Sequence, residues 1–270
     1  MDEREDHMST DNPVAQILEV AKHHGASLAG IANINDVRTS PSHTAFDHMG
    51  DYTGVGTPQE EQKASSSDQI PAWPGEAKSV VVVALEHPRT HPELDWWDGN
   101  KGTPGNRQLI QICKSLRQWM EENLGLQTFP MHYFVQKGGT FLKDAAVMAG
   151  LGCMGRNNLL VTPQFGPRVR IRAFLVDAEL PASSRMDFDP CQECPEPCRK
   201  VCPIKAMHNQ VWSSDQLGIS HIPARDGAYS RELCNNRMEQ DIEESEPTPE
   251  DRNLVKYCRK CEFACPVGRQ

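Results

Sequence analysis

Long apolar runs, aromatic side chains and positive charge are all scarce in this sequence of 270 residues. Hydrophobic residues make up 38% of the chain, and the longest apolar run, 79–85, is far shorter than the roughly 20 residues that a membrane-spanning helix needs. The N-terminal residues are acidic and polar, without the apolar segment or the twin arginine of an export signal. The sequence therefore predicts a cytoplasmic protein with no membrane partner.

The charge balance narrows the choice of partner. Lysine and arginine number 28 against 37 aspartates and glutamates, which gives a net charge of −9. Proteins that bind nucleic acid over a large surface carry a basic face. The acidic balance argues against such a large surface. A small basic groove is compatible with the same net charge.

Cysteine, in contrast, is abundant, and eight of the ten cysteines form one pattern. Two runs each end in Cys-Pro, at Cys202-Pro203 and at Cys265-Pro266, and Cys234 stands between them. In two-cluster ferredoxins such runs enclose two [4Fe–4S] clusters, and the fourth cysteine of one run ligates the other cluster. The pattern predicts two [4Fe–4S] clusters and a protein that transfers electrons.

The same interleaving assigns the metal ligands. The first cluster takes three cysteines of the first run and the last cysteine of the second: Cys191, Cys194, Cys198 and Cys265. The second cluster takes the remaining thiols of the two runs, with Cys234 as the only cysteine left for the fourth position: Cys202, Cys234, Cys258 and Cys261. Cys113 falls on the buried stripe of a predicted helix, so we expect it in the core.

Two other kinds of cysteine site fit the pattern less well. Structural zinc also uses four-cysteine sites, but zinc knuckles do not usually close with Cys-x-x-x-Cys-Pro. Disulfide frameworks are typical of short secreted chains. The first run is one residue longer than the bacterial ferredoxin pattern and carries Pro195 and Pro197, which indicates a longer loop rather than a different metal.

Periodicity and capping residues predict the other elements. Helices are expected from Pro13 to Gly25, over 106–124, and from a cap at Thr140 to a stop at Gly150. Strands are expected at 29–32, 79–85, 131–135 and 168–176, the second of them apolar on both faces. Residues 37–77 read as a long loop and 239–251 as a solvated insertion. The outer face of the last strand carries Arg168, Arg170 and Arg172, which we expect to be solvated.

Outside the cysteine runs, one stretch of the sequence contains most of the remaining residues that indicate a function. It runs from Lys143 through the glycines of 150–155 to Arg156-Asn-Asn and on to Gly166. Followed by two Cys-Pro runs, it resembles epoxyqueuosine reductase and its relatives, which are cobalamin-dependent iron–sulfur proteins akin to reductive dehalogenases. The resemblance implies an α+β protein, with a nitroreductase-like α/β domain over 1–180 that holds base-off cobalamin. A ferredoxin-like domain with two [4Fe–4S] clusters over 181–270 would supply it with electrons.

The resemblance also implies which residues line the cobalamin site. They lie in or near the glycine segment and comprise Lys137, Gly152, Met154, Gly155, Arg156, Asn157 and Asn158. Arg156 stands where the family has lysine, and Cys153 stands where it usually has tryptophan. The aspartate that protonates substrate in the family has no clear counterpart near 103–107.

The missing aspartate leaves the proton donor open. His132 and Tyr133 precede the glycine segment and are the candidates for catalysis, the alternative being that His132 is a packed histidine. The chain ends five residues after Cys265, without the helical-repeat domain that helps epoxyqueuosine reductase hold tRNA, so tRNA is not the expected substrate.

Three functions are consistent with these observations. The first is a cobalamin-dependent reductase of an unknown small substrate that receives electrons from a donor such as ferredoxin or flavodoxin. The second is an electron-transfer or corrinoid-handling partner of another redox protein, without a substrate of its own. The third is a two-cluster electron carrier whose N-terminal domain is of a degenerate flavin-binding type.

Overall fold

The computed structural model describes residues 12–48, 72–99, 102–245 and 254–268. Predictions about the N-terminal residues, about 49–71 of the long loop and about 246–251 of the insertion lie outside the described residues. The α-helices are α1 Pro13–His23, α2 Ile34–Arg38, α3 Pro41–Thr44, α4 Pro104–Leu124, α5 Leu142–Met148, α6 Pro197–Lys200, α7 Ser214–Leu217, α8 Arg231–Glu243 and α9 Lys260–Ala264. The strands are β1 Leu28–Asn33, β2 Ser79–Glu86, β3 Trp97–Asp98, β4 Thr128–Pro130, β5 Cys153–Met154, β6 Leu160–Val161, β7 Val169–Val176 and β8 Leu254–Val255.

A four-stranded antiparallel sheet in the order β1-β2-β7-β4 forms the centre of the described fold. Val82 pairs with Gly30 on one side and with Ala173 on the other, which fixes the register of the three longest strands. The sheet places β2 in the interior, as its unbroken apolar sequence predicts.

Helices cover both faces of this sheet. Alternate residues of β2 point to opposite faces, so Val81 and Val83 meet α1 and α4, whereas Val80 and Val82 meet α5. A Cβ at Gly30 would lie 2.2 Å from the carbonyl oxygen of Ala149, which shows how closely the end of α5 approaches β1. The result is a mixed helix and sheet fold, in agreement with the α+β prediction.

The strand predicted over 131–135 is wrong. The strand lies earlier in the sequence, at Thr128–Pro130, where it pairs with the last residues of β7. Pro130 has no N–H to donate to a ladder, so pairing ends there and the chain turns into the 3₁₀ helix Val135–Lys137.

The long loop predicted over 37–77 also has more structure than expected. Its first part forms the end of α2, the short helix α3 and the 3₁₀ helix Phe46–His48. Val37 and Phe46 are buried by these turns, which supplies the apolar contact that a bare loop would lack. At the other predicted helix, Phe141 rather than Thr140 occupies the N-cap position, and Thr140 is buried.

The arginines of β7 are not solvated as the sequence suggested. Arg168 is only 5% exposed, and its guanidinium donates to the carbonyl oxygen of Val267 at 2.7 Å. Arg170 and Arg172 are half-buried and make polar contacts to side chains outside the strand. The reason is that residues distant in the sequence contact these side chains: the C-terminal segment 254–268 contacts Arg168 and Arg170, and Asn106 of α4 contacts Arg172.

The chain beyond residue 181 is built mainly from turns and short helices. It is tied to the sheet by Ser183, whose backbone N–H donates to Ile31 and whose hydroxyl accepts from the N–H of Ile31. Part of the predicted solvated insertion, residues 239–243, forms the end of α8. Within the described part of the chain, no helix combines the length and the apolar character that crossing a membrane requires.

Candidate metal centres

The first group of thiols comes from three separate places in the chain. Cys191 follows a turn held by Asp189, whose carboxylate accepts from the Cys191 N–H at 3.1 Å. Cys198 lies on α6 and Cys265 directly follows α9. A small cavity is lined by these three thiols and by Cys194. The pKa of Cys198 is raised to about 11, first by burial and then by the neighbouring thiols of Cys265, Cys191 and Cys194.

The second group is assembled in the same way from α8, α9 and the loops before them. The pKa of Cys261 is raised to about 12, first by burial and then by Cys234, Glu262, Cys258 and Cys202. The Cys202 sulfur accepts a hydrogen bond from the backbone N–H of Ala206 at 3.3 Å. Burial raises the pKa of Cys234 as well, while a hydrogen bond from Tyr229 acts in the opposite direction.

The structure thus groups the eight thiols in the two sets that interleaving of the Cys-Pro runs predicts. All eight donors are sulfurs, the donor set that iron–sulfur clusters use. Burial raises the pKa of four of these thiols, those of Cys198, Cys234, Cys261 and Cys265, and a bound metal would displace their protons. No three His, Cys, Asp or Glu side chains of the described residues converge on the position of one metal ion; a cubane cluster spreads its thiolates further apart. Ligation by these cysteines stays a prediction.

The two remaining cysteines lie in different surroundings. Cys113 packs with the helix side of the core, and burial raises the pKa of its thiol to about 11. Cys153 lies in β5, and its pKa is raised to about 12 by burial and by nearby Cys191. The core position of Cys113 matches the prediction, whereas the closeness of Cys153 to the first thiol group was not foreseen.

The segment 152–158 forms a hairpin with β6 beside both thiol groups. A Cβ at Gly152 would lie 2.1 Å from the carbonyl oxygen of Val161, and one at Gly155 would lie 2.6 Å from the Oδ1 atom of Asn157. The packing of the hairpin itself therefore requires these glycines. Their presence does not in itself indicate an open face for a cofactor.

The polar side chains of this hairpin connect the two thiol groups. Arg156 donates from Nε to the carbonyl oxygen of Cys191 at 3.0 Å and pairs with Glu196 at 2.5 Å. Asn157 is buried, and its Nδ2 lies 3.5 Å from the carbonyl oxygen of Cys261. Two adjacent residues thus touch one cysteine of each group.

These contacts bear on the predicted cobalamin site. The Arg156 guanidinium forms an ion pair with Glu196. The backbone carbonyl oxygen of Met154 accepts a hydrogen bond from Arg225 at 3.3 Å. The backbone carbonyl oxygen of Asn158 accepts one from Lys143 at 2.6 Å. Lys137 lies apart from the hairpin in sequence, on an exposed turn with its ammonium 5.8 Å from the Phe134 ring. A corrin at this hairpin would have to be held by other groups or displace these internal contacts.

The proton-donor candidates occupy an exposed loop. His132 is exposed and accepts the backbone N–H of Phe134 on Nδ1 at 3.1 Å, so it is not the packed histidine of the alternative interpretation. Tyr133 is 51% exposed, and the Arg172 guanidinium lies 4.6 Å from the centre of its ring. Both side chains are therefore exposed to solvent, and both lie outside the two thiol groups.

A buried ionic network under the second thiol group was missed by sequence reasoning. Arg170 lies 2.7 Å from Asp95 and 3.0 Å from Glu262, and Arg259 lies 2.5 Å from the other oxygen of Asp95. Burial would raise the pKa of Asp95, but a hydrogen bond from buried His87 and the two guanidinium groups hold it below its usual range. The signal that could have revealed the network is the row of arginines on β7.

No protein-family model matches the chain. It is 25% identical over 166 residues to epoxyqueuosine reductase of Pseudomonas aeruginosa, which covers 60% of this chain and 42% of that protein. It is 41% identical over 146 residues to a tetrachloroethene reductive dehalogenase of Desulfitobacterium hafniense, covering 49% of this chain and 24% of the relative.

Solved structures share the fold. The epoxyqueuosine reductase of Streptococcus thermophilus superimposes with a TM-score of 0.61 at 16% identity, over 95% of this chain and 66% of that one. A reductive dehalogenase whose structure suggests a mechanism for B12-dependent dehalogenation gives a TM-score of 0.61 at 17% identity, over 100% of this chain and 34% of that one. The chain therefore spans less than two thirds of the length of each of these proteins.

The sequence matches and the common fold agree with the resemblance carried by the glycine segment and the Cys-Pro runs. The chain is similar in sequence and in fold to epoxyqueuosine reductases and to reductive dehalogenases.

Proposed function

We propose that the chain is an iron–sulfur reductase of the cobalamin-dependent type, in which two [4Fe–4S] clusters conduct single electrons towards a small substrate. The observation that supports the proposal is that eight thiols from distant parts of the chain lie near one another in two sets of four. We further propose that residues 181–270 form the ferredoxin-like module and that residues 1–180 form the nitroreductase-like domain.

The chain's own residues suit conduction between two clusters. Four thiols hold each cluster, and the N–H of Ala206 and the hydroxyl of Tyr229 donate to sulfurs of the second group. Arg156 and Asn157 are neighbours in the chain and contact one cysteine of each group, which holds the groups side by side. Cobalamin, when bound, would supply the reducing centre that acts on the substrate.

Anaerobic reconstitution followed by metal and sulfide analysis tests the proposal. We expect close to eight irons per chain with matching sulfide, and broad absorbance around 400 nm that bleaches with dithionite. Stoichiometric zinc without that absorbance would contradict the cluster assignment. Cobalt and flavin analysis of the same sample shows which cofactor the N-terminal domain retains.

The relatives suggest which substrates to try. One relative is named for epoxyqueuosine and another for tetrachloroethene, so reductive cleavage of a C–O or a C–halogen bond defines the reaction class. Turnover of small epoxides and halogenated compounds, with flavodoxin or ferredoxin as the electron donor, is the direct assay. His132 and Tyr133 are the residues proposed to deliver the proton.

A second candidate function is an electron-transfer or corrinoid-handling protein without its own substrate. The specific observation in its favour is that Arg156, Asn157 and Asn158 already use their polar groups within the protein. Cobalamin added anaerobically separates the candidates. A base-off spectrum together with turnover supports the reductase, and a base-off spectrum without turnover supports the handling protein. Binding of flavin but not of cobalamin would contradict both the cobalamin-dependent reductase and the corrinoid-handling role.

A further inference from the structure

A cleft of about 320 Å³ opens beside the second thiol group. Cys258, half-buried, is part of its wall, whereas none of the four cysteines of the first group lines it: Cys191, Cys198 and Cys265 are buried and Cys194 is half-buried. The second group is therefore approached from solvent through this cleft. The wall is contributed by the 3₁₀ helix before β3, by α8 and by the chain around α9: Pro92, Asp95, Trp96, Arg237, Asp241, Lys256, Tyr257, Cys258, Arg259, Lys260 and Phe263.

Charge in the cleft is opposite to that of the whole chain. Four cationic and two acidic side chains line it, although the chain as a whole carries a net charge of −9. Both acids are engaged within the protein: Asp95 with Arg259, and Asp241 with Arg237 and with the N–H of Cys258 at 2.7 Å. Lys256 and Lys260 are exposed, so their charge is presented to a partner.

Aromatic side chains form the apolar part of the same surface. The Lys256 ammonium lies 4.5 Å from the centre of the Trp96 ring, and the Arg259 guanidinium lies 4.5 Å from that of Phe263. Exposed Arg89 also stacks on Phe263 and donates to its carbonyl oxygen. Half-buried aromatics with a rim of cations are the composition of a protein interface that selects an acidic partner.

We propose that an acidic one-electron carrier protein docks on this cleft and reduces the cluster held by the second thiol group. This inference rests on the proposed function, because it requires that cluster. One electron leaves the reduced centre of the carrier and enters the cluster near Cys258, so the carrier is oxidised by one electron and the cluster is reduced by one. No covalent bond forms or breaks. Lys256 and Lys260 attract the carrier and orient it.

Reduction kinetics of the iron-loaded full chain test the proposal. The probe is photoreduced acidic flavodoxin, mixed anaerobically at low salt with the wild type, with Lys256→Glu/Lys260→Glu, and with Lys22→Glu/Lys114→Glu. The last variant is a matched control, since it makes the same change in net charge at exposed lysines of α1 and α4. Iron content and reduction by methyl viologen at high salt establish that each protein is intact.

We expect the second-order rate constant with flavodoxin to fall at least tenfold in the cleft variant and less than twofold in the control. The difference should disappear at high salt, where the charges are screened. Equal flavodoxin rates in the two iron-loaded variants would overturn the docking site alone, whereas a wild type without iron would overturn the proposed function and the docking site together. Loss of tRNA binding in the cleft variant, with an unchanged flavodoxin rate, would overturn it in favour of a nucleic-acid surface.

Discussion

The side-chain ammonium of Lys143 donates a 2.6 Å hydrogen bond to the backbone carbonyl oxygen of Asn158, which joins α5 to the hairpin between the two thiol groups. Lys143 is half-buried and lies 5.7 Å from the Tyr229 ring. Burial lowers its pKa to about 8, while Asp144 and the thiols of Cys234 and Cys261 act in the opposite direction. The ammonium is thus a cation close to the thiols of the second group.

Replacement of Lys143 by Met should lower the reduction potential of the second cluster. Net charge near the sulfurs is one of the determinants of that potential, and loss of one nearby cation should shift it on the order of 50 mV. Potentiometric titration followed by electron paramagnetic resonance measures the shift. Lys143→Arg, which keeps the charge, is the control, and a potential that is the same in both variants would contradict the assignment.

Cys234 should be essential for one cluster only. It is the sole thiol on α8 and is close to Cys202 and Cys258. Cys234→Ala should remove about half of the iron, because a cluster missing one thiolate is less stable. Cys113→Ala provides the control, since that thiol packs in the core, and iron analysis of both proteins compares them. Equal iron losses would show that the second cluster uses other ligands.

Local sequence rules predicted the central elements of the fold well. The apolar run of β2 and the stripe of α4 are each long and regular, and the structure has them within two residues of the predicted bounds. Asn12 caps α1 as expected, accepting from the N–H of Val14 at 3.0 Å. These elements follow from contacts between residues close in the sequence.

The failures share a physical cause, which is contact between distant parts of the chain. Arg168 is buried because Val267 lies over it, and residues about 100 positions apart leave no local signal of their meeting. Likewise, Gly152 suggested a cofactor surface, but its neighbour is the backbone of Val161. The predicted grouping of the cysteines depends on the known interleaving of ferredoxin runs, a long-range rule that few motifs provide, and ligation by these groups stays a prediction.

A substitution at Gly152 should be far more costly than one at an open glycine. In Gly152→Ala the new Cβ would lie 2.1 Å from the Val161 carbonyl oxygen, so the hairpin must distort. We expect a loss of stability above about 2 kcal/mol. Gly75→Ala serves as the control, because a Cβ there meets nothing within 4 Å. Urea unfolding of both proteins measures the difference, and a small loss at Gly152 would mean that the hairpin adapts.

Stability should decrease as the pH falls below 6.5, in part through His43. Its pKa is lowered from 6.5 to about 4 by burial, and its ring packs edge-on against Trp73 and Phe141. Between these values the unfolded chain binds a proton that the folded chain does not, so protonation favours unfolding. The loss amounts to about 3 kcal/mol at most.

The test of His43 is urea unfolding at pH 7 and pH 5. The variant His43→Phe lacks the titrating group and should lose less stability between the two pH values than the wild type. Burial raises the pKa of neighbouring Asp144, which acts on stability in the opposite direction and is present in both proteins. Parallel pH profiles for the wild type and the variant would contradict the role of His43.

The ionic network on β7 should be sensitive to the loss of one member. Arg170 separates the carboxylates of Asp95 and Glu262, whose side chains are 11% and 4% exposed. Removal of one partner of a buried ion pair leaves an uncompensated charge, which typically costs 3–5 kcal/mol. Arg170→Leu should approach the lower end of that range, because Arg259 also contacts both acids.

Arg172→Leu offers a matched comparison two residues along the same face of the strand. Its guanidinium donates to the neutral side chain of Asn106 at 2.7 Å. Its removal therefore leaves no buried charge without a partner and should lower the free energy of unfolding by about 1 kcal/mol. Chemical denaturation of the two iron-loaded variants should therefore place Arg170→Leu well below Arg172→Leu in stability. Equal losses would mean that the arginines act through packing of their side chains rather than through charge, since the two residues bury similar aliphatic stems.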